Sequence, residues 1–164
     1  MYSFKSRVRF SETDLKGVIT FGNIVNYMQD CSTFHSEDLG VGIQELKKYN
    51  KTWMISSWYI EILRYPLFGE EIEIITSPYS FNRVFGNRNF IIEDSKGQVL
   101  VKADSKWVLV DSIKQKILRI GPEDTKPYKI SEKIEMNQVS KKISEPLYGE
   151  NIGKILIDKS YIDS

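Results

Sequence analysis

One carboxylate lies where it could take part in acyl-transfer chemistry. Asp14 sits in a short loop that ends at Gly17, just before the segment with the clearest helical pattern in the chain. The first N–H groups of a helix have no partner within the helix and can hold a developing oxyanion. A carboxylate beside them could act as general base or nucleophile. The alternative is that Asp14 only stabilises its own turn through side-chain to backbone hydrogen bonds.

The sequence has one histidine and one cysteine, and both fall on the apolar side of that helix. They are too few for a zinc site built from such ligands, and no glycine-rich nucleotide loop is present, so we expect no metal and no cofactor. For His35, a buried and hydrogen-bonded structural role is favoured over a place in a catalytic triad. Cys31 has no adjacent base, which favours a buried thiol over a nucleophile.

The spacing of apolar residues identifies the elements that would position these side chains. A strand is predicted over residues 3–11, a long amphipathic helix over 23–39 ended by Gly40, and a short helix over 43–49. The period then changes to two, which predicts strands over 52–65, 71–81, 85–93 and 99–110. One long helix followed by a meander of strands indicates an α+β fold in which the sheet wraps around the helix.

The charge balance gives no reason to expect nucleic acid or a membrane as a partner. The chain has 164 residues, with 23 basic and 22 acidic side chains and a formal net charge of +1. No apolar run approaches the roughly 20 residues that span a bilayer, and the N-terminus has no apolar signal core. Because a single cysteine suits a reducing compartment, we expect a cytoplasmic protein.

Lysines cluster in two places that could receive an acidic carrier protein. Lys47, Lys48 and Lys51 follow the long helix, and Lys141 and Lys142 form a second pair. A solvated surface is the more ordinary explanation for such clusters.

Five short segments, in one order along nearly the whole chain, resemble the acyl-ACP thioesterases. They are NYMQD at 26–30, WMISSW at 53–58, RYP at 64–66, GNRNF at 86–90 and ADSKWVLVD at 103–111. The resemblance implies two tandem hotdog domains, each an antiparallel sheet wrapped around a long helix. It also implies hydrolysis of the thioester between a fatty acyl chain and the phosphopantetheine arm of acyl carrier protein, a reaction of fatty acid biosynthesis.

The same resemblance implies a division of labour between the two domains. In the family the first hotdog shapes the acyl pocket, and the catalytic residues lie in the second. Tyr161-Ile162-Asp163-Ser164 aligns with the start of the catalytic signature, so Asp163 takes its aspartate position. The asparagine and histidine that should follow are not in this sequence. We therefore expect this chain to supply mainly acyl specificity and to have little or no hydrolase activity by itself.

Three regions are predicted along the chain. Residues 1–112 form the N-terminal hotdog, residues 113–153 a connector rich in proline, lysine and glutamate, and residues 154–164 the first strand of a second, incomplete hotdog. Because an unaccompanied hotdog would leave a sheet edge unpaired, we expect a homodimer.

The aromatic strand over 52–65 supplies candidate acyl contacts. Its side chains alternate, so one set, Met54, Trp58, Ile60 and Ile62, can face the helix or the acyl chain. The alternative is that they are simply core.

Two other functions stay open. Asp14-Leu15-Lys16-Gly17-Val18 also resembles the motif of single-hotdog acyl-CoA thioesterases of the hydroxybenzoyl-CoA type, which would make Asp14 catalytic in a homodimer. A module that binds an acyl chain or a carrier protein without chemistry is the third possibility.

Overall fold

A computed structural model describes residues 1–137, 148–149 and 153. The elements are β1 (Tyr2–Arg7), a 3₁₀ turn (Phe10–Glu12), α1 (Phe21–Asp38), α2 (Ile43–Lys48), β2 (Lys51–Ile62), β3 (Glu71–Phe81), β4 (Phe85–Asp94), β5 (Val99–Asp111), β6 (Lys116–Ile117) and α3 (Pro122–Thr125). Within these ranges no helix combines the length and the apolar character needed to cross a membrane.

The strands form one antiparallel sheet in the order β1-β3-β4-β5-β2, with β6 paired to the end of β5. The predicted meander holds for β3, β4 and β5, which follow one another through tight turns. It is wrong for β2, which pairs with β5 rather than with its sequence neighbour β3. The segment from 63 to 70 therefore crosses from one side of the sheet to the other.

Helix α1 packs its apolar stripe on the inner face of this sheet. Thr20 caps the helix by accepting a hydrogen bond from the Asn23 N–H (3.4 Å), and Gly40 follows the helix with a φ of +70°. The core residues Ile24, Met28 and Cys31 are fully buried against the strands. Burial of the Ile24 side chain and of the Met28 side chain each stabilises the folded chain by about 1.5–3 kcal/mol. The predicted α+β hotdog arrangement, a sheet curled around one long helix, is confirmed.

A β-bulge interrupts β2. Ile55 pairs with Trp107 and Ser57 pairs with Lys106, so Ser56 is an extra residue with no partner of its own on β5. One inserted residue turns the following side chains to the opposite face relative to an unbroken alternation.

The bulge changes which residues of β2 share a face. Before it Trp53 points inward, and after it Trp58, Ile60 and Ile62 point inward and pack against the core. Met54 is on the outer face with 53% of its surface exposed. The prediction that Met54 shares a face with the other three is wrong, because it assumed an uninterrupted alternation.

The chain after β5 first packs on the domain and then crosses its outer face. The region predicted as connector from residue 113 contains β6 and α3, and its Tyr128 is buried. Residues 129–137 have no regular secondary structure and contact residues of the sheet. There the Asn89 Nδ2 donates to the Glu132 carbonyl (2.8 Å), and the Lys133 Nζ lies 2.9 Å from Asp104 Oδ2. The predicted strand over 154–164 lies outside the described residues.

Candidate functional site

A cavity of about 350 Å³ opens between α1, α2 and the inner face of the sheet. Its size is at the lower end of the range for small-molecule sites. The apolar part of its lining comes from the loop before α2, from α2 itself and from the strands, namely Val41, Ile43, Leu46, Trp53, Phe81 and Trp107. The cavity is therefore shaped to take an apolar group.

Glycine and aromatic residues together create the space. A Cβ at Gly86 would lie 2.9 Å from Cε1 of the Phe81 ring, so a side chain there would force that ring to move. The Phe81 and Trp53 rings lie 6.3 Å apart between centroids and form one aromatic wall. Trp53 reaches that wall because it precedes the bulge at Ser56.

The helical wall of the cavity carries hydroxyl groups that are bonded locally. Ser32 and Thr33 both donate to the carbonyl of Gln29, at 2.8 and 2.9 Å. Ser36 donates to the Ser32 carbonyl (2.9 Å) and lies 2.8 Å from the Tyr128 hydroxyl. Because the helix backbone accepts these protons, the wall presents less polarity to a ligand than its composition suggests.

A buried guanidinium is part of the cavity lining. Arg88 is 7% exposed, and its Nη1 donates to His35 Nδ1 (3.1 Å) and to Thr76 Oγ1 (3.2 Å). The Arg88 Cζ atom lies 5.5 Å from the centroid of the Tyr128 ring. Burial lowers the pKa of Arg88, yet a guanidinium stays charged at neutral pH. Within the described residues no carboxylate forms an ion pair with it.

His35 and Cys31 have the structural roles that the sequence favours. Burial, and then the charge of Arg88, lower the pKa of His35 to about 4, so the imidazole is neutral at pH 7. Its ring stacks on Tyr2 with centroids 5.2 Å apart. Burial raises the pKa of Cys31 to about 12, and its thiol donates to the Ile74 carbonyl (3.4 Å). Both predictions are confirmed, and neither group is prepared for nucleophilic or acid–base chemistry.

The Asp14 side chain stabilises the turn in which Asp14 lies. Its Oδ1 accepts hydrogen bonds from the N–H groups of Lys16 (2.9 Å) and Val18 (3.0 Å), and Gly17 completes the turn with a φ of +73°. The side chain is exposed and does not line the cavity. The turn role is confirmed, and the catalytic role stays a prediction.

The predicted acyl contacts are not brought together at the cavity. Trp58, Ile60 and Ile62 pack against the core, Met54 is on the other face, and none of the four is part of the lining. The second predicted catalytic residue, Asp163, lies outside the described residues.

Sequence reasoning missed the residues that do line the cavity. The bulge conceals the inward orientation of Trp53, and the sequence around Trp107 indicates only a strand. Arg88 did leave a signal, because it stands between Gly86 and Phe90 at an inward position of an alternating strand, where a charge is unusual. That signal marks a site more sharply than the hydrophobic pattern does.

The lysines near α2 differ in their partners. Lys51 is paired with Asp124 (2.6 Å), and Lys48 with Glu45. Lys47 lines the cavity and has no ion-pair partner in the described part of the chain. Lys141 and Lys142 lie outside the described residues. Across the same described ranges no three His, Cys, Asp or Glu side chains are close enough together to hold a metal ion.

Comparison with known proteins gives a consistent family. A family model described as the acyl-ACP thioesterase N-terminal domain matches residues 1–128. An Arabidopsis thaliana relative, oleoyl-acyl carrier protein thioesterase 2, chloroplastic, is 27% identical over 131 residues. That alignment covers 74% of this chain and 36% of the relative, so the chain spans about a third of the relative's length.

A solved structure agrees in sequence and fold. The acyl-ACP thioesterase from Bacteroides thetaiotaomicron superposes with a TM-score of 0.77 and is 26% identical, with 87% of this chain and 59% of that chain covered. The 12:0-ACP thioesterase from Umbellularia californica superposes with a TM-score of 0.75 at 18% identity, over 88% of this chain and 60% of that one, and supports the fold alone.

Proposed function

Because the chain belongs to the acyl-ACP thioesterase N-terminal domain family, we propose that it supplies the acyl-binding half of an enzyme that hydrolyses fatty acyl thioesters of acyl carrier protein. The observation that carries the proposal is the cavity between α1 and the sheet, with its wall of Trp53, Phe81 and Trp107. When an aliphatic chain enters that cavity, the apolar surfaces of the chain and of the aromatic wall are removed from water. This favours binding by about 25 cal/mol for each Å² buried.

We propose that the thioester is hydrolysed outside this cavity. No lining residue is a carboxylate, and the sequence has no histidine besides His35, which is buried and neutral. Asp163 is the proposed catalytic aspartate, at the start of a second hotdog whose first strand is predicted from residue 154. Asp14 is the less favoured candidate, because the turn already uses its Oδ1.

The partner proposed from this assignment is acyl carrier protein bearing a fatty acyl-phosphopantetheine. Lys47, free of a carboxylate in the described residues and located at the cavity, is the proposed contact for the acidic carrier. The edge strands β1 and β2 each have one neighbour among the described strands, which supports pairing with a second hotdog or, for this chain alone, a homodimer. A cytoplasmic location stays an expectation from the single cysteine.

The test compares fatty-acid release from acyl carrier protein by the 164-residue chain and by a version extended through a second hotdog domain. We expect release by the extended protein and little or none by the chain alone. Equal rates in the two proteins would refute this assignment of binding to one domain and chemistry to the other. Acyl-CoA hydrolysis that is lost in Asp14→Ala would instead support the single-hotdog enzyme.

A further inference from the structure

We propose that Arg88 makes the part of the cavity that it lines a carboxylate-binding site, so that the preferred ligand is an aliphatic carboxylate rather than a wholly apolar chain. This inference rests on the proposed function, because it assumes that the same cavity binds an aliphatic chain. The carboxylate could belong to a free fatty acid or to the far end of an acyl group that carries a second acid.

The first support is that Arg88 has two donor nitrogens, Nε and Nη2, that it does not use within the described part of the chain. Both of its hydrogen bonds use Nη1, to His35 and to Thr76. Its Nε and Nη2 have no acceptor in the described part of the chain. No buried side-chain nitrogen or oxygen there is both sealed from solvent and without a partner. These two nitrogens therefore reach solvent-accessible space, and Arg88 is one of the residues that line the cavity.

The second support is the charge of the lining. Three lining residues, Lys47, Lys51 and Arg88, are cationic and none is anionic. Lys51 has its own partner in Asp124 (2.6 Å), while the other two have no carboxylate in the described residues. A buried cation without a counterion is costly, and a ligand anion would offset that cost.

The third support is the geometry of the donor group. A guanidinium presents parallel N–H groups that match the two oxygens of a carboxylate, and such charge-assisted pairs are stronger than neutral hydrogen bonds. Arg88 is held in place by His35, by Thr76 and by the face of Tyr128, so little side-chain freedom is lost on binding. The aromatic and aliphatic wall then receives the rest of the ligand.

Binding can be followed by the fluorescence of Trp53 and Trp107, which line the cavity. The 164-residue chain is titrated at pH 7 with octanoate and, separately, with octan-1-ol, which has the same length and no charge. We expect octanoate to bind at least tenfold more tightly than the alcohol. Equal affinity for the two ligands overturns the proposal without the need for any variant.

A variant assigns the preference to Arg88. In Arg88→Gln the tenfold preference should disappear while octan-1-ol binding is retained, which also reports that the cavity is still folded. Arg83→Gln removes an exposed arginine from the neighbouring turn and should leave both affinities unchanged. If Arg88→Gln does not fold, the wild-type ratio of the two affinities still decides the question. A preference that survives in folded Arg88→Gln contradicts the assignment.

Two further ligands separate the sources of the carboxylate. Suberoyl-pantetheine carries a carboxylate at the far end of its eight-carbon acyl chain, and octanoyl-pantetheine does not. Tighter binding of the former points to a diacid acyl group, whereas equal binding of the two together with the octanoate preference points to a free fatty acid. If neither octanoate nor octan-1-ol binds, the acyl-binding function fails along with this proposal. If both bind equally, only this proposal fails.

Discussion

Arg88 and His35 are joined by a 3.1 Å contact between Nη1 and Nδ1, and this contact fixes the tautomer of the histidine. A guanidinium has donors and no acceptor, so Nδ1 of His35 accepts and the ring proton lies on Nε2. Protonation of Nδ1 would place two cations against each other in a buried site. His35 is thus the neutral neighbour that allows a buried Arg88.

The lowered pKa of His35, caused first by burial and then by the charge of Arg88, predicts a loss of stability in mild acid. The pKa of His35 is lowered to about 4 in the folded chain, against 6.5 as its ordinary value. Between these values the unfolded chain binds a proton that the folded chain excludes, so the free energy of unfolding falls as the pH drops below 6.5. From pH 7 to pH 5 the loss should be about 1–2 kcal/mol.

Urea unfolding at pH 7 and at pH 5 measures this change in the free energy of unfolding, with His35→Gln as the matched variant. Because the sequence has one histidine, the variant should lose most of this pH dependence. An unchanged slope would mean that another group is responsible.

Cys31 should be unreactive in the folded chain. Burial raises the pKa of its thiol to about 12, so the thiolate that reacts with disulfide reagents is nearly absent at pH 8. An aromatic disulfide reagent should modify the folded chain at least a hundredfold more slowly than the urea-unfolded chain. Comparable rates would show that the helix opens easily or that the thiol is accessible.

The bulge at Ser56 predicts opposite outcomes for two residues of β2. Met54→Ala removes an exposed side chain and should change the free energy of unfolding by no more than about 0.5 kcal/mol. Ile60→Ala removes a side chain that packs on the core and should cost about 2 kcal/mol. Urea denaturation of both variants measures the difference. Equal costs would indicate that the alternation is uninterrupted.

Asp14 can be tested with substitutions that separate its turn from catalysis. Asp14→Asn keeps an oxygen that can accept from Lys16 and Val18, so stability should be retained, whereas Asp14→Ala should cost about 1 kcal/mol. In a version extended through a second hotdog domain, neither substitution should lower thioester hydrolysis more than a few-fold. A loss of a hundredfold or more in folded Asp14→Asn would make Asp14 a catalytic group after all.

Local sequence patterns were sufficient for most elements and insufficient for their arrangement. The periods of 3.6 and 2 located α1 and the strands, because burial of one face follows directly from residue spacing. The partner of β2 depends on contacts between residues about 50 positions apart, which no local pattern records.

The site was harder to predict than the fold. The run Trp53-Met54-Ile55 is apolar on both faces, so nothing in it reveals that the strand changes face at Ser56. Arg88 could have been singled out as a charge at an inward position, but its neighbours His35, Thr76 and Tyr128 come from three separate parts of the chain.

Cross-linking tests most directly whether the cavity receives the acyl chain of acyl carrier protein, as proposed. Dodecanoyl carrier protein with a photoreactive diazirine at the end of its acyl chain is mixed with the 164-residue chain, irradiated and analysed by mass spectrometry. We expect labels on cavity residues such as Trp53, Phe81 and Trp107, and competition by unlabelled dodecanoyl carrier protein. Competed labelling confined to the outer face around Met54, or no competed labelling, would contradict it.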